Sequence, residues 1–96
     1  IIGENVLIGP NSIIGNNVKI GDFSKVLNKV SVAHDSVIGE HVQISDGSTI
    51  AGNVHIGKNS VLGINTAVIN KTKIGDNVLV LSGKTVIQNL TDNTKF

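Results

Sequence analysis

His34 and Asp35 stand side by side in this chain of 96 residues and together carry the side chains of a general-base pair. Histidine changes its charge near neutral pH, so an oriented imidazole can take a proton from a reacting amine or hydroxyl. A neighbouring carboxylate can hold that imidazole in one orientation. Both residue types are also acceptable in a polar turn, and the spacing alone favours that plainer interpretation.

The composition excludes several other kinds of site. The chain has no cysteine, which excludes a disulfide scaffold, a zinc–thiolate module and a cysteine nucleophile, and which is typical of a cytoplasmic protein. Eight lysines and seven acidic residues give a net charge of +1 that is spread along the chain, so we predict no nucleic-acid partner. No apolar run approaches the roughly 20 residues of a membrane span, and no signal peptide is visible, so no membrane partner is predicted.

An aliphatic residue recurs at every sixth position from residue 2 to residue 86. These anchors are Ile2, Ile8, Ile14, Ile20, Val26, Val32, Ile38, Ile44, Ile50, Ile56, Leu62, Val68, Ile74, Val80 and Val86. Because six is even, a strand returns the same face inward at each repeat, whereas a helix of 3.6 residues per turn would scatter these positions around its axis. We expect Gly and Asn between the anchors to form the turns, since both tolerate positive φ. A meander of antiparallel strands would not need so strict a register.

The sequence also has a longer period of 18 residues. Glycine occupies all five positions of one series, Gly3, Gly21, Gly39, Gly57 and Gly75. Three hexapeptides therefore make one coil, and residues 1–90 are predicted to form five triangular coils stacked at roughly 4.8 Å. The register fails after Leu90, so residues 91–96 are predicted to be a tail or a connection to a missing segment. The chain also begins in mid-pattern without Met, which is typical of a piece of a longer protein.

The 18-residue period also indicates which candidate site residues lie next to each other in neighbouring coils. Gly52 falls one coil above His34, where the absent side chain would leave a slot beside the imidazole. The three histidines, His34, His41 and His55, fall at different phases of the coil, so no metal site is predicted and the last two are read as surface residues. Two outward walls are largely uncharged, which is typical of an interface. Their residues are Ile13, Ser31, Thr49, Ala67 and Thr85 on one wall, and Leu7, Lys25, Gln43, Val61 and Leu79 on the other.

The hexapeptide pattern resembles that of the hexapeptide-repeat acyltransferases over residues 1–90. This resemblance implies an all-β fold, a left-handed parallel β-helix, and homotrimers with active sites between adjacent subunits. The run from Ala33 to His41 resembles the catalytic coil of these enzymes. With Ala51-Gly52-Asn53-Val54 and Gly63-Ile64-Asn65-Thr66, it is similar to the subgroup that includes sialic acid O-acetyltransferases and the UDP-4-amino-sugar N-acetyltransferases of bacillosamine synthesis.

The resemblance implies roles for single residues. His34 matches the general base and Asp35 the acid that orients it, while the backbone at Gly52 and at Ile64 matches positions that contact acetyl-CoA. Gln43 stands where the family often has a second histidine that contacts the acetyl group. Leu27-Asn28 replaces the family's Asn-Thr before the catalytic coil, and Lys71, Lys73 and Lys84 are candidates for the CoA phosphates.

These observations predict an acetyltransferase that moves an acetyl group from acetyl-CoA to an amine or hydroxyl of a free or nucleotide-linked sugar. The alternative is a non-catalytic β-helix that serves as a scaffold or as a regulatory subunit of an oligomeric assembly. A pure scaffold has no reason to keep His34 and Asp35 together beneath Gly52, and that feature discriminates between the two hypotheses.

Overall fold

The computed structural model describes all 96 residues, which form fourteen strands of two residues each and no helix. Each strand consists of one anchor and the residue before it. The strands are β1 Leu7–Ile8, β2 Ile13–Ile14, β3 Lys19–Ile20, β4 Lys25–Val26, β5 Ser31–Val32, β6 Val37–Ile38, β7 Gln43–Ile44, β8 Thr49–Ile50, β9 His55–Ile56, β10 Val61–Leu62, β11 Ala67–Val68, β12 Lys73–Ile74, β13 Leu79–Val80 and β14 Thr85–Val86. The chain has no helical segment that could span a membrane.

The strands form three parallel sheets that the chain visits in turn. The first sheet has the order β1-β4-β7-β10-β13, the second β2-β5-β8-β11-β14 and the third β3-β6-β9-β12. Every pairing between two of these strands joins residues 18 apart, as between Lys25 and Gln43. Parallel bridges from Ile2 to Ile20 and from Ile74 to Leu90 extend the third sheet at both ends. The fold is therefore a parallel β-helix of about four turns, and its strand pairing follows the predicted 18-residue period.

The anchors fill the interior of the β-helix. The twelve anchors from Ile20 to Val86 are all buried, which confirms their inward orientation. The expectation fails for the first three, because Ile2 and Ile8 are 47% and 41% exposed and Ile14 is only partly buried. They line the N-terminal end of the β-helix, where a neighbouring coil covers them from one side only.

Buried serines connect successive coils from within. Ser24, Ser36, Ser48 and Ser60 are fully buried two positions before an anchor. Each hydroxyl donates to a carbonyl oxygen 15 residues later and accepts the N–H 18 residues later, as Ser36 does with Ala51 and Val54. No buried side-chain polar atom lacks a partner, so the polar residues of the interior cost little desolvation energy.

The turns use glycine and asparagine for different reasons. Positive φ falls on the third residue after an anchor, which is most often Asn, as in Asn17 and Asn53. The glycines directly after the anchors do not have positive φ, so the expectation that they supply turn geometry is wrong. They are needed because the coils approach closely: a Cβ on Gly21 would lie 2.7 Å from the carbonyl carbon of Gly39.

The last residues stay attached to the β-helix. Leu90 is buried, and the Leu79 N–H of β13 donates to the Thr94 carbonyl at 2.9 Å while the Phe96 N–H donates to the Leu79 carbonyl at 2.8 Å. The C-terminal end of the hydrophobic column is therefore covered by the chain itself. That residues 91–96 connect to a further segment stays a prediction.

Candidate active site

His34 and Asp35 form the turn that joins β5 of the second sheet to β6 of the third. Neighbouring coils hold this turn on both sides, since the Asp35 N–H donates to the Asn16 carbonyl at 2.9 Å and the Asn53 N–H donates to the His34 carbonyl at 3.0 Å. Asp35 has a φ of +62°, a conformation that Asn and Asp tolerate better than most residues. The backbone thus presents both side chains at a rigid corner of the β-helix.

The two side chains are paired and accessible. The distance from His34 Nδ1 to Asp35 Oδ2 is 2.9 Å, and the side chains are 61% and 47% exposed. The hydrogen bond to His34 holds the pKa of the Asp35 carboxyl below its ordinary value, and a hydrogen bond from the Asn17 side chain one coil below acts in the same direction. When the neutral imidazole donates its Nδ1–H to the carboxylate, the lone pair is on Nε2, which can then act as a base.

Gly52 lies directly above the imidazole. A Cβ at Gly52 would lie 2.7 Å from Nε2 and 2.8 Å from Cε1 of His34, so only glycine leaves the ring room in this position. Gly52 is the second residue after an anchor. At five other such positions the backbone N–H donates to a side-chain oxygen, whereas the Gly52 N–H has no partner within the chain. The corner therefore combines a free base nitrogen with an adjacent free backbone donor.

Gln43 and Ile64 lie elsewhere in the chain. Gln43 is on β7 of the first sheet, opposite the His34 corner, and its Nε2 donates to Ser45 Oγ at 3.4 Å. Ile64 is in the turn between the first and second sheets, where its N–H donates to Ser82 Oγ at 3.0 Å and its carbonyl accepts the Gly83 N–H. Within one chain the structure brings together His34, Asp35 and Gly52, and it leaves Gln43 and Ile64 apart from them.

The sequence interpretation missed two residues beside the pair. Asn17 and Lys19, which were not among the predicted site residues, line a cavity with Asp35. The 18-residue period was the available signal, because it puts Asn17 one coil below Asp35. His41 stacks on Phe23, and His55 points outward on β9 of the third sheet. No group of three or more His, Cys, Asp or Glu side chains is arranged to hold a metal ion.

The fold and this corner define a parallel β-helix of hexapeptide repeats with an exposed His–Asp pair. The family described as the GMPPB C-terminal domain matches residues 1–95, and the chain belongs to that family. No curated protein matches the sequence.

Several solved structures share the fold, and two of those named here are acetyltransferases. The acetyltransferase domain of PglB from Neisseria gonorrhoeae FA1090 has a TM-score of 0.88 and 22% identity, covering 98% of this chain and 49% of that one. WeeI from Acinetobacter baumannii AYE has a TM-score of 0.86 and 28% identity, covering 98% and 50%. A variant of perosamine N-acetyltransferase from Caulobacter crescentus has a TM-score of 0.79 and 24% identity, covering 95% and 49%. The chain spans about half the length of these proteins, and the resemblance to hexapeptide-repeat acetyltransferases is confirmed for the fold.

Proposed function

We propose that this chain transfers an acetyl group from acetyl-CoA to an amine or hydroxyl of a free or nucleotide-linked sugar, with His34 as the general base. The observation that carries the proposal is the contact of His34 with Gly52 while Nδ1 is bound to Asp35. Structures of similar fold add support, since the PglB domain was solved with acetyl coenzyme A and the perosamine N-acetyltransferase with CoA and GDP-perosamine.

In this proposal each group has one task. His34 Nε2 takes the proton of the acceptor amine or hydroxyl while the acceptor atom attacks the thioester carbonyl carbon. The Gly52 N–H donates to the oxyanion that forms on the carbonyl oxygen. When the carbon–sulfur bond breaks, the imidazolium returns its proton to the departing CoA sulfur. Asp35 stabilises the imidazolium and keeps its orientation through Nδ1.

Acetyl-CoA would extend from this corner toward the later coils. The Lys71 N–H donates to the Gly52 carbonyl at 3.0 Å, so Lys71 stands one coil above Gly52 at the same corner. Lys84 instead lies over the Phe96 ring, 5.8 Å from its centroid. Lys71 is therefore better placed than Lys84 for a CoA phosphate, while Lys73 lies on β12 of the third sheet. Because acetyl-CoA is available in the cytoplasm, we also propose a cytoplasmic location.

The proposal includes a left-handed helix of five triangular coils that assembles into a homotrimer. Gln43 and Ile64 cannot reach the His34 corner of their own chain, so any contact they make with acetyl-CoA bound there comes from a second copy. The outward residues of the second sheet are uncharged, and Ile13 among them is 68% exposed. A closed ring of three copies would cover such walls and create three equivalent clefts.

We expect sedimentation at micromolar concentration to give three times the mass of one chain. Thr49→Lys places a charge on the second sheet and should shift the protein toward monomer, because an unpaired charge is costly at an interface. His55→Lys is the matched control, since it changes the outward residue of the next strand on the third sheet. A wild-type protein that sediments only as a monomer would contradict the assembly.

Asp35→Asn should lower kcat by less than the loss of His34 does, because the base remains and only its orientation and basicity suffer. The fold should not suffer, since Asn is the common residue at this positive-φ position, as at Asn17 and Asn53. The measurement is kcat together with the thermal unfolding midpoint. Reduced activity with an unchanged or higher midpoint supports a role for the carboxylate, and unchanged activity would contradict it.

The direct assay is thiol release from acetyl-CoA in the presence of a panel of amino sugars and sialic acids. We expect release that depends on at least one of these acceptors and that produces one acetylated sugar for each thiol. If no acceptor increases thiol release, the chain is better described as a non-catalytic scaffold or regulatory subunit.

A further inference from the structure

The cavity beside Asp35 has a volume of about 410 Å³ and opens on the side of the third sheet. It is lined by Ile1, Asn17, Lys19, Asp35 and Val37. Lys19 pairs in register with Val37, and Asn17 lies 18 residues before Asp35, so these four residues form two rows in adjacent coils. The cavity therefore lies beneath the His34–Asp35 pair, on the side away from Gly52.

Of the two charged side chains that line this cavity, only one has a partner within the chain. The Asp35 carboxylate is engaged by His34 Nδ1 at 2.9 Å. Lys19 is exposed, and no carboxylate lies within ion-pair distance of its ammonium group. An ammonium without a partner next to a carboxylate that is already hydrogen-bonded favours an anionic ligand. The Asn17 amide can also bond hydroxyl groups, and the apolar Val37 side chain suits the face of a sugar ring.

The two sides of the imidazole thus offer different environments. Above it, Nε2 lies beside Gly52, whose N–H has no partner within the chain and suits a thioester carbonyl. Lys19 lies one strand spacing, about 4.8 Å, below Val37, and Val37 follows His34 by three residues, so a sugar that spans this stretch could contact Lys19 and still present an amine or hydroxyl to His34. We propose that Lys19 binds an anionic group of the acceptor sugar, either a carboxylate or a phosphate, in this cavity. The proposal rests on the proposed function for the identity of the ligand as an acceptor.

Three acceptors test the proposal: N-acetylneuraminate with a carboxylate, glucosamine 1-phosphate with a phosphate, and methyl glucosaminide with neither. Binding is measured by titration calorimetry and transfer by thiol release, for the wild type, Lys19→Ala, Lys19→Arg and Lys58→Ala. Lys58 is the matched control, because it is an exposed lysine at the turn between the third and first sheets.

We expect Lys19→Ala to weaken binding of the preferred anionic sugar about 10-fold and to raise its KM equally, the effect of losing one charge-assisted hydrogen bond. The kcat, the KM for acetyl-CoA and all values for methyl glucosaminide should stay unchanged. Lys19→Arg should retain binding, and Lys58→Ala should behave as the wild type. Whichever anionic sugar loses affinity identifies the group as carboxylate or phosphate.

The two proposals can fail separately in this experiment. Binding of an anionic sugar that depends on Lys19, but without thiol release, supports the cavity and contradicts the acetyltransferase. Thiol release with equal affinities in the wild type and Lys19→Ala contradicts the cavity alone. A wild type that binds neither anionic sugar also overturns the role of Lys19, as does an equal loss of affinity for all three sugars.

Discussion

His34→Ala should lower kcat for acetyl transfer by about two to four orders of magnitude, the usual contribution of a positioned general base. The fold should survive, because the side chain is 61% exposed and lies outside the buried column of anchors. The hydrogen bond from the Asn53 N–H uses the His34 carbonyl, which alanine retains. The KM for acetyl-CoA should change little, since the Gly52 amide is intact. Steady-state kinetics and thermal unfolding measure both expectations.

His55→Ala is the control for this variant. His55 is also exposed but lies on the outward face of β9, away from the His34 corner. We expect this variant to keep the wild-type kcat and unfolding midpoint. Full activity in His34→Ala would show that the corner is only a turn and that any base lies elsewhere.

Gly52→Val should reduce kcat by about 100-fold and raise the KM for acetyl-CoA. The valine Cβ would lie 2.7 Å from His34 Nε2, closer than atoms can pack, so the imidazole must turn away toward solvent. That movement costs the fold little, because the displaced atoms are the end of an exposed side chain. It separates Nε2 from the reacting carbonyl, and the valine methyl groups crowd the Gly52 N–H, whose loss as an oxyanion donor has an effect of this size.

A double mutant separates the two effects of the valine. In the His34→Ala background, Gly52→Val should no longer lower kcat much through displacement of the imidazole, but it should still raise the KM for acetyl-CoA. Lys58→Val is the matched control, because Lys58 occupies the equivalent position in the next hexapeptide and already carries a side chain. Wild-type kinetics in Gly52→Val would rule out the arrangement of imidazole and amide described above.

The fold was predictable because the repeat is local. In a β-helix each strand pairs with the residues one coil away, so the 18-residue period alone assigns the partners, as for Lys25 with Leu7 and Gln43. The exposure of Ile2 and Ile8 was not predictable from the period, because it depends on position at the end of the β-helix. The need for glycine at Gly21 was predictable, but its cause was misread, since close approach of coils is a tertiary property.

For the site, the sequence predicts in which coil and at which corner each residue lies, but not how its side chain is oriented. The 18-residue period places Gly52 one coil above His34 and Asn17 one coil below Asp35, and the structure has both arrangements. Side-chain conformation decides the rest: the imidazole packs under Gly52, and its Nδ1 lies 2.9 Å from the Asp35 carboxylate. The cavity at Lys19 also depends on the outward surface of two neighbouring turns, which a pattern of inward anchors does not describe.

A crystal structure of the protein with bound acetyl-CoA tests the central claim most directly, because the claim places the acetyl group at one corner of the β-helix. We expect the thioester carbonyl oxygen to lie within hydrogen-bond distance of the Gly52 nitrogen, about 2.7–3.1 Å, with the carbonyl carbon beside His34 Nε2. An acetyl group bound at another corner, or at Gly52 with His34 turned away from it, would contradict the account.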